Sequence, residues 1–199
     1  MQITLLHNTP LDLADKAITK CWNKKARNSK ERTYRVGIKN KHSSTLEHVS
    51  YTFDIDGISR ACLQELARHR HTSMTVKSTR YTLKELKKAY NPLDYLVMTG
   101  VPAIDSNNIL HLARLSEMLV GGLSNDRVKY MLPEAYKTSL VWTINMRSLQ
   151  NFLSLRTDKA ALWEIRELAN NIFEALPDEH KYMLKDFVKE QDDKENNSS

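Results

Sequence analysis

Glycine is scarce in this chain: there are five in 199 residues, and none belongs to a GxGxxG turn or a P-loop. Glycine-rich loops bring backbone N–H groups up to a phosphate, so any nucleotide or dinucleotide bound here has to be held by side chains instead. Cysteine is scarcer still. Cys21 and Cys62 are too few for a disulfide framework and lack metal-ligand spacing, so no metal site is expected. Cys62 shares a helical stripe with Ile58, Ala61 and Leu66, which predicts an inert buried thiol, since a reactive one needs an electropositive, accessible setting. No apolar run approaches the roughly 20 residues of a membrane-spanning helix. The opening "MQITLLHNTPLDLADK" lacks the basic start and small-residue cleavage site of a secretory signal. A cytoplasmic protein with no membrane partner is therefore expected. Acidic residues are nearly missing between Lys16 and Lys41, where ten Lys or Arg face Glu31 alone. With a net charge of +6, an anionic partner is indicated, but nucleic acid, a nucleotide substrate and plain solvation all fit.

What is present is the composition of a globular domain, 41% hydrophobic and 27% charged, with Leu, Ile and Val spread along the length. One domain is expected over residues 1–190, followed by a polar, frayed tail at 191–199. "QITLLHN" reads as a strand, and a helix begins at Pro10 with Leu13, Ala17 and Cys21 on one side. "VSYTFDID" alternates Val49, Tyr51, Phe53 and Ile55 against polar neighbours, a half-buried strand closed by an Asp56-Gly57 turn. Helical spacing follows from Ile58 to about His69, in "LKELKKAY", from Ile109 to Val120, and from Leu162 onward through Ile165, Leu168, Ala169, Ile172, Phe173 and Leu176. "KTSLVWTINM" is a further strand candidate. Few strands, several helices and no regular βαβ alternation point to α+β, a small mixed or antiparallel sheet flanked by helices.

Three segments concentrate chemistry. The first, "RHRHTSMTVKSTRY", packs Arg68, His69, Arg70, His71, Lys77 and Arg80 among five Ser and Thr hydroxyls, on a loop leaving the Ile58 helix. On residues alone, a solvated basic loop, a nucleic-acid patch and a discrete phosphate site stand level. The second, "NMRSLQNFLSLR", wound as a helix, sets Arg147, Gln150, Asn151 and Ser154 opposite Leu149, Phe152 and Leu153. Arg156 lands at the centre of the apolar face. A guanidinium there needs an anionic or strongly accepting partner: an Asp or Glu, a ligand oxygen, or release through a fraying helix end. The third, "HSSTLEHVSY", places Ser44 and Glu47 at capping-box spacing, with His48 at the mouth of the strand as an ordinary satisfied histidine.

Together these segments resemble a known family. R-H-R followed by seven residues and Ser, here Arg68-His69-Arg70 to Ser78 with Arg80-Tyr81 behind, is similar to the signature of flavin-dependent thymidylate synthases. "HSSTLEH" resembles that family's H-x-S/T-x-x-E-H element, and "INMRSLQNFLSLR" its N-x-R-S-L-x-N-F-x-x-x-R element, in the same order and over roughly Ile3 to Val188. The resemblance implies a homotetramer with FAD at subunit interfaces, which converts dUMP to dTMP with 5,10-methylenetetrahydrofolate as carbon donor and NADPH as reductant. Carried over by position, it assigns His42, Ser44, Arg68, His69, Arg70, Asn145, Arg147 and Asn151 to FAD. It assigns Glu65, Arg68, Val76, Lys77, Ser78, Thr79, Arg80, Lys129 and Arg156 to dUMP, with Arg156 at the uracil edge and no nucleic acid as partner. Three positions depart from the commoner pattern: Glu65 stands for Gln, Val76 for Glu, and Lys129 for an Arg, which keeps the charge but loses the bidentate fork.

Methylating uracil at C5 needs electron density at an unreactive carbon. Neither cysteine has a setting that would activate it for attack on C6, so the ring has to be polarised otherwise. A preorganised guanidinium in a dry site can stabilise negative charge developing on the pyrimidine, and Arg156 is the candidate catalytic residue. Ser78 has no adjacent His-Asp pair to activate it and is assigned to positioning.

Overall fold

A computed structural model describes residues 1–23, 25 and 30–189; Lys24 and Arg27 of the basic stretch and the expected tail at 191–199 lie outside the described residues. In chain order the elements are β1 (Gln2–Asn8), α1 (Asp12–Trp22), α2 (Lys30–Thr33), β2 (Ser50–Ser59), α3 (Arg60–Leu66), β3 (Thr72–Val76) and α4 (Thr79–Thr82). There follow α5 (Pro92–Tyr95), α6 (Pro102–Val120), α7 (Asn125–Val128), β4 (Lys137–Asn145), α8 (Met146–Arg156), α9 (Trp163–Glu174) and α10 (Asp178–Leu184). A π-helical turn at Tyr34–Lys39 and 3-10 turns at Ser43–His48, Leu83–Lys87, Lys129–Met131 and Lys185–Phe187 join them.

The strands form one four-stranded sheet in the order β1-β2-β4-β3. β1 runs antiparallel to β2, since Thr9 N donates to Ser50 O at 2.9 Å while Met1, at the other end, lies beside Gly57. β2 runs antiparallel to β4: Met146 N donates to Val49 O at 2.7 Å, and Arg60 N to Tyr136 O at 3.1 Å. The expected α+β class with a small antiparallel sheet is what the chain adopts.

Contacts divide the chain into two compact units: Met1–Gln2, Ile55–Arg68 and Met74–Val141 form the first, and Ile3–Asp54, His69–Ser73 and Trp142–Ser199 the second. The core of the first is Leu83, Leu86, Leu96, Leu112, Leu115, Leu119, Val128 and Tyr136. Four expectations are corrected here. Strand β2 does not close at Asp56-Gly57 but runs on to Ser59, because Gly57 takes a φ of +78° that carries the strand through. Ile58 is thus a strand residue, and α3 begins only after Ser59, whose Oγ accepts from Cys62 N at 3.0 Å. Cys62 is buried, as expected. The segment "LKELKKAY" makes a 3-10 turn instead of an α-helix, and its three-residue repeat buries Leu83 and Leu86 together. Helix α6 starts at Pro102 and not at Ile109: proline suits the first helical position, and the Asp105 carboxylate accepts from Thr99 N, Thr99 Oγ1 and Gly100 N in front of it.

In the second unit, the alternation read from the sequence buries Tyr51 and Phe53 of β2, and Trp142 of β4 lies fully buried with them. Phe53 and Trp142 have ring centroids 6.2 Å apart, and Trp142 meets Phe152 of α8 edge-on at 5.1 Å. Helix α9 buries Ile165, Leu168, Ala169 and Ile172 as its stripe requires. His180 is fully buried; its Nδ1 lies 2.8 Å from the Tyr51 hydroxyl and its Nε2 accepts from Asn8 Nδ2 at 3.3 Å. Burial pushes the His180 pKa down. No helix among the described residues is long and apolar enough to cross a membrane, and none of their His, Cys, Asp and Glu groups cluster to hold a metal ion.

Candidate functional site

The stretch expected as a loop contains β3 and α4, so its cations are set by regular structure. In the first unit, Lys77 N donates to Ser139 O at 2.8 Å, which pins the end of β3 to β4 just before the turn. The Ser78 carbonyl then accepts from Tyr81 N and Thr82 N, starting α4, while the Ser78 side chain makes no cap and stays exposed. Thr79 is half-buried beside it, as is Val76 on β3. Lys77 Nζ lies 3.6 Å from Glu85, and Arg68 Nη1 3.5 Å from Glu65 one turn earlier on α3. Arg80 donates from Nε to Asp126 Oδ1 at 2.7 Å, and Asn125 Nδ2 donates to the Arg80 carbonyl at 2.6 Å. These two bonds dock α4 on α7, whose last turn leads directly to Lys129. Helix α4 is thereby held against the helix that leads to Lys129, 49 positions beyond Arg80 in the chain. Asp126 and Glu85 had no signal in the sequence motifs.

In the second unit, α8 is the organising element. Asn145 is its N-cap, with Oδ1 accepting from Ser148 N at 2.8 Å. The apolar face is as read: Leu149, Phe152 and Leu153 are fully buried. Arg147 and Asn151 are exposed on the other side, whereas Gln150 beside them is buried, at 8% exposure. Its Nε2 is buried with no hydrogen-bond partner among the described residues, an unmet donor on the helix that carries Arg147 and Asn151. Arg147 Nη1 donates to Glu47 Oε1. Glu47 is therefore an ion-pair partner and not the far half of a capping box, and the 3-10 turn that holds Ser44 is preceded by His42 with no side-chain cap. His48 is exposed instead of satisfied in the core. His42 meets Trp22 edge-on at 5.9 Å, while Ser44 and Arg70 are exposed.

Arg156 has the accepting partner that its position demanded. It is the last residue of α8, half-buried, and its Nε donates to Nε2 of His69 at 3.0 Å. The helix end does not fray: Thr157 N and Oγ1 both donate to Leu153 O, and Thr157 Oγ1 accepts from Lys189 N at 2.9 Å. That the histidine of R-H-R is an acceptor for Arg156 was not readable from the residues alone.

Residues 4–180 match the family described as thymidylate synthase complementing protein. A flavin-dependent thymidylate synthase of Campylobacter jejuni is 54% identical over 198 residues, 92% of this chain and 96% of that protein. The chain belongs to the flavin-dependent thymidylate synthases. A flavin-dependent thymidylate synthase of Helicobacter pylori is 44% identical, over 95% of this chain and all of its own length. The crystal structure of thymidylate synthase X from Helicobacter pylori with FAD and dUMP has a TM-score of 0.88 at 42% identity, covering 96% of this chain and 100% of that one. Glu65 gives Arg68 an i,i+3 carboxylate partner, which an amide at that position would not.

Proposed function

We propose that this protein makes dTMP from dUMP by reductive methylation, as a homotetramer with active sites at subunit interfaces. The donor set fits FAD without a glycine loop: His42, Ser44, Arg70, Arg147 and Asn151 expose polar groups, and Gln150 adds a buried donor. Arg68, His69 and Asn145 complete the cofactor group carried over from the family. When bound and reduced by NADPH, FAD supplies the hydride that completes the methyl group, whose carbon comes from 5,10-methylenetetrahydrofolate.

The chain's own residues bind, orient and polarise. Ser78, Thr79, Arg80 and Lys129 take the nucleotide phosphate, with Arg68 and Lys77 beside them and Glu65 and Val76 flanking. The carboxylate partners of Lys77 and Arg80 are exposed and give way to a dianion at small cost. Arg156 meets the uracil edge and stabilises negative charge developing on the ring. The observation that carries this assignment is the Arg156 guanidinium, held at Nε by His69, in a chain whose Cys62 is buried.

The purified protein is expected to be yellow or to become so with FAD, to bleach with NADPH, and to release tritium from 5-tritiated dUMP once methylenetetrahydrofolate is added. A colourless protein that binds only nucleic acid, with affinity falling steeply with salt, contradicts it.

A further inference from the structure

Nε is the guanidinium nitrogen nearest the side-chain stem, so a hydrogen bond there fixes the plane of the whole group. Its acceptor, His69 Nε2, is itself rigidly placed. The His69 ring lies edge-on to Phe152, with centroids 5.0 Å apart and planes at 76°. Phe152 lies edge-on to Trp142, and Trp142 packs on Phe53; all three have no solvent exposure. A column of buried rings rooted in β2, β4 and α8 thus runs out to one imidazole, and that imidazole holds Arg156. Because Nε2 accepts, His69 is neutral there with its hydrogen on Nδ1.

We propose that His69 is a positioning residue for Arg156, so that the middle residue of R-H-R serves the pyrimidine through the guanidinium and not only the cofactor. This rests on the assignment of Arg156 to the uracil edge made above. A guanidinium preset by a buried column reaches the substrate without reorganising, which is what transition-state charge stabilisation requires.

Paired substitutions separate this role from a merely structural one. The Oε1 of a glutamine reaches the position of the imidazole Nε2, whereas the Oδ1 of an asparagine reaches only that of Nδ1. At saturating dUMP and FAD, His69→Gln is expected to turn over about 10- to 100-fold faster than His69→Asn, the range for loss of one charge-assisted hydrogen bond. Calorimetric dUMP affinity of the FAD-loaded protein should follow the same order. On an Arg156→Ala background, His69→Asn should cost nothing further in that affinity. Equal activity of the Gln and Asn variants, or a full additive loss on the Arg156→Ala background, overturns the proposal. A dead Arg156→Ala beside a fully active His69→Asn sinks this inference alone; an active Arg156→Ala takes the uracil assignment down with it.

Discussion

The two compact units hold their functional cations differently. In the first, Lys77 and Arg80 lean on exposed carboxylates and Arg68 on the half-buried Glu65, and Arg80 and Asp126 keep 62% and 61% of their side-chain surface in water. In the second, Arg156 is half-buried and hydrogen-bonded to an imidazole seated on fully buried rings. Exposed pairs of the first kind contribute about 0–1 kcal/mol, so they are easily exchanged for a phosphate. The second kind is fixed before any ligand arrives. A nucleotide's charged end can be gripped by groups that change partners, whereas the reacting ring needs one that does not move.

Substitutions in the two units should accordingly fail in different parameters. Arg156→Ala should cost the most, about 10³-fold or more in kcat with FAD retained, because a preorganised charge is lost at the ring. Arg147→Ala should lower FAD affinity about 10- to 100-fold; unchanged flavin content on purification would remove Arg147 from the cofactor group. Arg80→Ala should raise the KM for dUMP about tenfold and leave kcat within about threefold, since its contact is binding and not chemistry. The smallest kinetic change belongs to Asp126→Asn, which frees Arg80 from its surface partner: KM should stay within about threefold of normal or fall. A large rise in KM would mean that the pair positions Arg80 and does not merely park it.

A pH titration of stability sharpens the account of the second unit's core. Burial holds His180 neutral, with its pKa below the ordinary 6.5. The unfolded chain therefore takes up a proton that the folded one refuses. Stability is full above about pH 6.5 and falls as pH drops toward the folded-state pKa. Tm measured between these limits should decline on acidification, and His180→Gln should flatten that decline.

Much of this was legible in the residues, and the limits are physical. Alternation in β2 and the stripe of α8 were readable because period alone decides which side chains face the core. The side of α8 on which Arg156 falls, and its need for an acceptor, followed from the same periodicity. Its partner did not, because His69 and Arg156 are 87 residues apart and only the tertiary fold pairs them. Asp126 and Glu47 were hidden for the same reason. The burial of Gln150 was not readable, because a period says which face a residue occupies, not what covers that face. The ends of α6 and β2 were missed through single residues, the Asp105 carboxylate and Gly57, whose effects are local but depend on geometry.

The most direct test is the rate of tritium release from 5-tritiated dUMP, at saturating dUMP, for FAD-loaded Arg80→Ala and Arg156→Ala measured side by side. The account predicts release close to the unsubstituted rate from Arg80→Ala and only background from Arg156→Ala. Equal losses in the two proteins, or near-normal release from Arg156→Ala, would contradict it.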